Sequence, residues 1–256
     1  MTRAFPSIPI PRRQAKPRDR GVTMMVDWGT GTRLTRDVLE MAAPYCDLVR
    51  LTAGISRLVE ERVLRRKVGL YRRFQVDAFP GGLFLEYAVH RGLAGDYLAE
   101  CLRAGYRSVE VSDTVFRFHP GAKADLIRRA REDWGMRVLG KVGTKRTATE
   151  RRTLVADIEE ALRAGAWKVC VEAAEFFDGR LKVDLVREIA ASVPVDRIIF
   201  ELPGCWLKDI HLHQVYETMR ILLGEMGPEV NLGNVLPADL LMLETQRVNL
   251  GLGMRL

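Results

Sequence analysis

The sequence predicts an α/β fold of the (β/α)8 barrel type, the TIM barrel, in a single domain. From residue 22 onward, short apolar and β-branched runs alternate with longer amphipathic stretches. Such alternation is typical of parallel strands joined by helical crossovers. Eight strand-like runs are found, and eight strand–helix units close into a barrel. They cover residues 22–29, 48–54, 74–82, 108–114, 137–145, 168–175, 197–204 and 229–235.

The segments between these runs have the marks of helices. The stretches 96–105 (DYLAECLRAG) and 154–165 (LVADIEEALRAG) end in glycine, the residue that helix C-termini favour. The stretch 237–251 (PADLLMLETQRVNLG) is predicted to be the closing helix. A doubly wound open sheet is the alternative, but the loop after the first run, DWGTGTRLT, lacks the GxGxxG pattern that such sheets often carry.

Composition narrows the class of protein. The chain has 256 residues, 47% of them hydrophobic, and lacks an apolar run long enough to span a bilayer. Residues 1–20 are basic and proline-rich without a signal-like apolar core, so we predict an N-terminal arm at 1–20 and a barrel over 21–256. Four cysteines without a CxxC pair indicate reduced thiols and a cytoplasmic location.

The net charge of +7 is compatible with either nucleic acid or a small anion as the binding partner. Basic and acidic residues are interspersed along the predicted helices, and aromatic residues do not interleave with the basic ones as in base-stacking surfaces. This pattern argues against nucleic acid and favours a small anionic substrate. The arm and the apolar helices are compatible with a homo-oligomer.

Polar residues at the predicted strand ends form the candidate site, because barrel active sites lie at the C-terminal ends of the strands. We predict Glu110, Asp113 and Lys145 as catalytic, and Glu172 and Glu201 as ligands of Mg²⁺, which prefers oxygen donors. Structural ion pairing is the alternative use of these acids. The predicted substrate-binding residues are Asp27, Arg50, Gly81, Gly82, Lys141, Asn231 and Asn234.

Two further features bear on the chemistry. In AFPGGLFLEY (78–87), two glycines precede a carboxylate, Glu86, which suggests that the backbone there must let a group approach closely. Lys145 ends the segment KVGTK, where a lysine can act as an acid or base. Alternatively, Lys145 or Lys141 could form a Schiff base in a metal-independent, aldolase-like enzyme.

Six motifs in the same order resemble the phosphosulfolactate synthase family, which includes plant heat-stress-associated homologues. FPGGLFLEYA is similar to the family's PGGTLFEYA, VEVSDT to VEISDG, KVGTK to EVGKK and IIFELP to VIFEAP. VNLGNV followed by LETQR is similar to VNLANI followed by LETLR. The segment KPRDRGVTMMVDWG resembles the arm and first strand of bacterial members.

The resemblance implies a magnesium-dependent barrel that adds sulfite to phosphoenolpyruvate and gives 2-phospho-3-sulfolactate. This is a carbon–sulfur lyase reaction on the way to coenzyme M or sulfolactate. Lys145 matches the position of the family's proposed proton donor.

The sequence resembles a divergent member of the family, because it departs from the family's motifs at five positions. Arg50 replaces a lysine, Lys141 an acid, Thr144 a lysine, Thr114 a glycine, and Ala174 an arginine in the segment EGRESG. These departures leave open a related anionic enolpyruvyl or sulfonate substrate, or a non-catalytic scaffold or stress role.

Overall fold

The computed structural model describes residues 4–144 and 151–251, and within them it forms the predicted barrel. Eight strands occur in the described ranges, and each paired neighbour runs parallel. They are β1 (Thr23–Asp27), β2 (Leu48–Leu51), β3 (Asp77–Pro80), β4 (Ser108–Val111), β5 (Arg137–Val142), β6 (Lys168–Val171), β7 (Ile198–Glu201) and β8 (Leu232–Val235).

Helices follow the strands around the outside. They are α1 (Thr32–Ala42), α2 (Ile55–Leu58), α3 (Glu61–Arg73), α4 (Gly82–His90), α5 (Ala94–Ala104), α6 (Ala122–Glu132), α7 (Arg151–Arg163), α8 (Ala173–Phe176), α9 (Val183–Ser192), α10 (Leu212–Met226) and α11 (Leu240–Arg247). The predicted strands extended too far at several C-terminal ends, because α4 begins at Gly82 and α8 at Ala173 directly after their strands. None of the described helices has the length and hydropathy needed to span a membrane.

The strands are ordered β3-β2-β1-β8-β7-β6-β5-β4, so β3 and β4 meet at the seam of the barrel. Side chains link the two edges of this seam. Ser108 at the start of β4 donates to Asp77 Oδ2 at the start of β3, at 2.5 Å. At the other end, the Gly82 N–H donates to Glu110 Oε2 at 2.7 Å. These bonds hold the seam near both ends, where the described residues form no backbone ladder.

One cluster of apolar side chains fills the barrel interior, and a larger apolar cluster lies between the strands and the helices. The interior cluster consists of Val22, Met24, Leu48, Phe79, Leu139, Cys170 and Ile199, each at most 1% exposed. Because side chains alternate along a strand, the residue two positions after an interior one also faces inward. That geometry decides which residues reach the mouth.

Candidate active site at the barrel mouth

On five strands, an interior residue is followed two positions later by a charged residue at the C-terminal end. The pairs are Leu48 and Arg50, Ser108 and Glu110, Leu139 and Lys141, Cys170 and Glu172, and Ile199 and Glu201. The five charged side chains are at most 6% exposed. They form a layer directly above the apolar interior of the barrel.

Arg50 lies at the centre of this layer. Its Nη2 donates to both Glu110 Oε1 and Glu201 Oε1, and its Nη1 donates to Asn234 Oδ1 at 2.7 Å. A planar guanidinium suits several acceptors at once, and a lysine could not reproduce this fork. Asn234 completes the arrangement by donating from Nδ2 to Glu201 Oε2 at 3.0 Å.

Lys141 joins the remaining carboxylates. Its Nζ lies 2.8 Å from an oxygen of Glu172 and 2.8 Å from an oxygen of Glu201. Burial lowers the pKa of Lys141, but the charges of Glu172 and Glu201 outweigh burial and raise the pKa above its ordinary value. The amine is therefore held protonated, which disfavours Lys141 as a Schiff-base nucleophile because that role needs the neutral form.

The same cations act on Glu201. Burial alone would raise the pKa of Glu201, but Arg50 and Lys141 together lower it below its ordinary value. The carboxylate stays ionised at neutral pH. Glu172 differs from it, because neither oxygen of its fully buried carboxylate accepts a hydrogen bond from the described part of the chain. Lys141 contacts Glu172 as an ion pair only.

The layer opens into a cavity of about 440 Å³, part of it in contact with solvent. Arg50, Lys141, Glu110, Glu172, Glu201 and Asn234 line its floor, and Thr52, Ser112 and Thr114 add hydroxyl groups. Trp28 and Trp206 line it as well, with ring centroids 5.9 Å apart. The cavity is small, polar and charged at the bottom, with an aromatic pair at one side.

Close backbone contacts explain the double glycine. A Cβ on Gly81 would lie 3.1 Å from the Ala53 nitrogen, and a Cβ on Gly82 would lie 2.3 Å from Ser112 Oγ. Gly81 thus lets the end of β3 pass the loop after β2, and Gly82 lets α4 begin against β4. The anionic group that the Gly82 N–H meets is the protein's own Glu110.

Replacing Gly82 with alanine is expected to destabilise the protein by about 1–3 kcal/mol, because the new methyl group overlaps Ser112. Gly69 in α3 is the matched control, since a Cβ there meets nothing within 4 Å. Gly69→Ala is expected to stabilise by about 0.5–1 kcal/mol through helix propensity. Urea denaturation measures both. Equal stability of the two variants would contradict the close approach.

Glu86 organises the loop after β4. It is fully buried on α4, and its Oε2 accepts the backbone N–H groups of Val115 and Phe116, both at 2.9 Å. Its Oε1 accepts from the Thr114 backbone N–H at 2.9 Å and from the hydroxyls of Thr114 and Ser112. The charge in AFPGGLFLEY therefore holds in place two residues that line the cavity.

Three of the predicted substrate-binding or catalytic residues do not line the cavity: Asp27, Asp113 and, as described below, Asn231. Asp27 points outward, where it accepts from Gly29 and Thr30 nitrogens and pairs with Lys67 at 2.6 Å. Asp113 also points outward and pairs with Lys123 at 2.8 Å. Both follow the strand alternation, which turns every second side chain away from the barrel axis.

The placement of Asn231 at the mouth is wrong. Asn231 precedes β8 and lies at the N-terminal end of the barrel, where Oδ1 accepts from the Val22 N–H at 2.9 Å. Its Nδ2 donates to the Ile198 carbonyl at 2.8 Å. The side chain links the starts of β1, β7 and β8. Asn231 lies at that end because it is three residues before Asn234, the residue of β8 that reaches the mouth.

Lys145 lies outside the described residues, so its role as proton donor stays a prediction. The structure describes the chain up to Thr144, whose N–H donates to Glu175 Oε1 at 2.7 Å. The sequence reasoning missed Trp28, Thr52 and Trp206. For Trp28 and Thr52 a signal existed, since each lies in a predicted strand, within two residues of its end.

The oxygen donors at the mouth fit a hard divalent cation. Glu110, Cys170 and Glu201 each place a ligand atom within 4.8 Å of the others and could together hold a metal. Arg50 already donates to both carboxylates of that group, and burial raises the pKa of the Cys170 thiol, which keeps sulfur a poor ligand. Glu172 is the better-suited oxygen group, because neither oxygen of its buried carboxylate accepts a hydrogen bond in the described residues and its contact there is the ion pair with Lys141, at 2.8 Å.

Comparison with known proteins identifies the family to which this chain belongs. The profile described as (2R)-phospho-3-sulfolactate synthase (ComA) matches residues 11–252. The chain belongs to the phosphosulfolactate synthase family. It is thereby an enzyme of the carbon–sulfur lyase class.

Family relatives match along nearly the whole chain. The chain is 33% identical over 249 residues to phosphosulfolactate synthase of Methanothermobacter thermautotrophicus, covering 93% of this chain and 92% of that protein. It is 29% identical over 240 residues to the protein of the same name from Methanocaldococcus jannaschii, covering 89% and 91%. The Bacillus subtilis phosphosulfolactate synthase is 27% identical over 256 residues, covering 95% and 96%.

Solved structures support the fold at low identity. The chain is similar to the YdjI aldolase of Escherichia coli K12, with a TM-score of 0.54, 12% identity, and coverage of 85% of this chain and 75% of that one. It is also similar to thiamine phosphate pyrophosphorylase of Pyrococcus furiosus, with a TM-score of 0.53, 13% identity, and coverage of 90% and 92%. These likenesses confirm the predicted (β/α)8 barrel fold of this chain.

Proposed function

We propose that this enzyme adds sulfite to phosphoenolpyruvate, with magnesium, to give 2-phospho-3-sulfolactate. The observation that carries the proposal is the charge of the mouth. Three buried carboxylates face two buried cations among the described residues, so the floor of the cavity has one negative charge in excess. Two anionic substrates would be repelled by such a floor unless a cation bound with them.

The reaction balances without a redox step. The sulfur lone pair of sulfite forms a bond to C3 of phosphoenolpyruvate. The C2–C3 π electrons move toward the carboxylate, and C2 then receives a proton. Magnesium, when bound, supplies positive charge near the enolate-like oxygens that develop in this step. Glu172 would hold the ion, and Glu201, whose two oxygens already accept hydrogen bonds from Arg50, Lys141 and Asn234, would add its negative charge beside it.

The chain's own residues prepare this site. Arg50 and Lys141 keep Glu201 ionised and fix its orientation, and the Lys141 ammonium reaches the cavity floor, where it can bind an anionic group. Both oxygens of Glu110 accept hydrogen bonds, from Arg50 and Gly82, which favours a positioning role for Glu110. Lys145 remains the proposed donor of the proton to C2.

The reaction is tested by incubating the purified, metal-stripped enzyme with phosphoenolpyruvate and sulfite, with and without Mg²⁺. We expect 2-phospho-3-sulfolactate only when the metal is present. A folded enzyme that forms no product with Mg²⁺ would contradict the substrate assignment. Equal turnover in the presence of a chelator would contradict the metal.

Replacing Glu172 with glutamine is expected to weaken Mg²⁺ binding at least tenfold, because the ion loses an anionic ligand. Calorimetric titration of the metal-stripped protein, with phosphoenolpyruvate present, measures the change. Glu160→Gln, on the exposed face of α7, removes the same charge far from the mouth and should leave the affinity unchanged. Equal weakening in both variants would mean that only net charge matters.

A further inference from the structure

The opposite end of the barrel contains a second buried group of charges, unrelated to the mouth. Four cations from the N-terminal arm and α11 meet two carboxylates there: Arg13, Lys16, Arg18, Arg247, Asp47 and Glu244. Arg247 is 4% exposed, Arg18 6% and Glu244 7%. With the partly buried Arg13 and Lys16 included, positive charge exceeds negative charge by two in this group, which we call the basal arginine cluster.

Ion pairs and hydrogen bonds connect the members of the cluster to one another and to the backbone. Arg18 Nε lies 3.0 Å from Asp47 Oδ1, and Arg13 Nη1 lies 2.5 Å from Glu244 Oε2. Glu244 and Arg247 are three residues apart on α11 and therefore share one helix face. Arg247 Nη1 donates to the Val230 carbonyl at 2.8 Å, and Arg13 Nη2 donates to the Gly21 carbonyl at 2.5 Å. These carbonyls precede β8 and β1, which places the cluster at the strand starts.

Four individual N–H groups of these guanidiniums lack acceptors among the described residues. Arg13 Nε, Arg18 Nη1, and both Nε and Nη2 of Arg247 are buried without a hydrogen-bond acceptor in the ranges 4–144 and 151–251. A buried donor without a partner costs roughly 1–3 kcal/mol, and more when it is charged. Four such donors in one cluster indicate an acceptor that the described side chains and backbone do not supply.

The electrostatics agree with the geometry. The pKa of Arg247 is lowered to about 9, first by burial and then by the charge of Arg13, while Glu244 and Asp47 oppose the shift. The pKa of Arg18 is also lowered, first by burial, with the charge of Arg13 adding to it. A water molecule could accept a hydrogen bond from these groups, but it would leave the excess charge uncompensated.

We propose that the basal arginine cluster binds a small inorganic anion such as chloride, held by Arg13, Arg18 and Arg247. The anion would accept the four orphan N–H groups and offset the excess positive charge. Because Arg13 and Arg18 belong to the arm and Arg247 to α11, the bound ion would join the two chain ends to the base of the barrel. The site is independent of the proposed reaction.

The test is thermal unfolding of the full chain as chloride replaces gluconate at constant ionic strength. We expect the melting temperature to rise with chloride and to saturate. Glu244→Gln keeps every orphan donor and removes one competing carboxylate, so half-saturation should occur at about fivefold lower chloride. Arg187→Gln breaks an exposed pair with Glu225 and should leave the chloride dependence unchanged.

Crystals grown in bromide provide the direct readout. An anomalous bromide peak within hydrogen-bond distance of the Arg247 guanidinium would support the site, and Arg247→Met should remove it. If Arg247→Met does not fold, the Glu244→Gln titration still decides. A chloride-independent melting temperature in both the parent protein and Glu244→Gln, with no bromide peak, would overturn the proposal. It would assign the donors to water.

Discussion

Replacing Arg50 with methionine is expected to abolish detectable turnover and to lower the free energy of unfolding by about 3–5 kcal/mol. The guanidinium is the common partner of Glu110, Glu201 and Asn234. Without it, two buried carboxylates lie close together with less compensating charge. Protonation of one of them would relieve the repulsion and would also remove an ionised group from the proposed metal site.

Denaturant unfolding at pH 7 and a product assay measure the two effects separately. Arg50→Lys keeps the charge but not the fork, so we expect stability between the parent and Arg50→Met and activity lower by roughly 10²–10³-fold. Arg62→Met, which removes an exposed arginine paired with Glu60, is the control and should change stability by less than about 0.5 kcal/mol. A stable, active Arg50→Met enzyme would show that Arg50 is not the centre of the site.

Replacing Glu86 with glutamine is the second large effect that we expect. Its two oxygens accept hydrogen bonds from Ser112, Thr114, Val115 and Phe116. An amide presents N–H groups where two of these donors point, so the loop after β4 must move. We expect a loss of about 2–3 kcal/mol in the free energy of unfolding.

The functional readout of Glu86→Gln separates a positioning role from a merely structural one. Because Ser112 and Thr114 line the cavity, we expect KM for phosphoenolpyruvate to rise more than kcat falls. Glu100→Gln, on the exposed side of α5, should change neither quantity. A Glu86→Gln enzyme with reduced stability but unchanged KM would mean that the loop does not touch the substrate.

The sequence determined the barrel by itself, since eight apolar runs alternating with amphipathic ones admit few other folds. It also indicated the family, through short motifs that keep the same order. The rule that barrel sites lie at the C-terminal ends of the strands placed Arg50, Glu110, Lys141, Glu172 and Glu201 near one another, because parallel strands end on the same side of a sheet. The sequence prediction made some strands too long. Residues 81–82 and 173–175 were predicted as strand, but helices α4 and α8 begin at Gly82 and Ala173.

Only the tertiary structure decided which way each side chain at a strand end points and what it meets. Asp27 and Asp113 face outward because they follow inward-facing positions by one residue, and Asn231 lies at the far end of β8. The pairing of Arg50 with two carboxylates joins residues 60 and 151 positions apart in sequence. Such contacts depend on the closure of the barrel, and local patterns contain no information about distances across it.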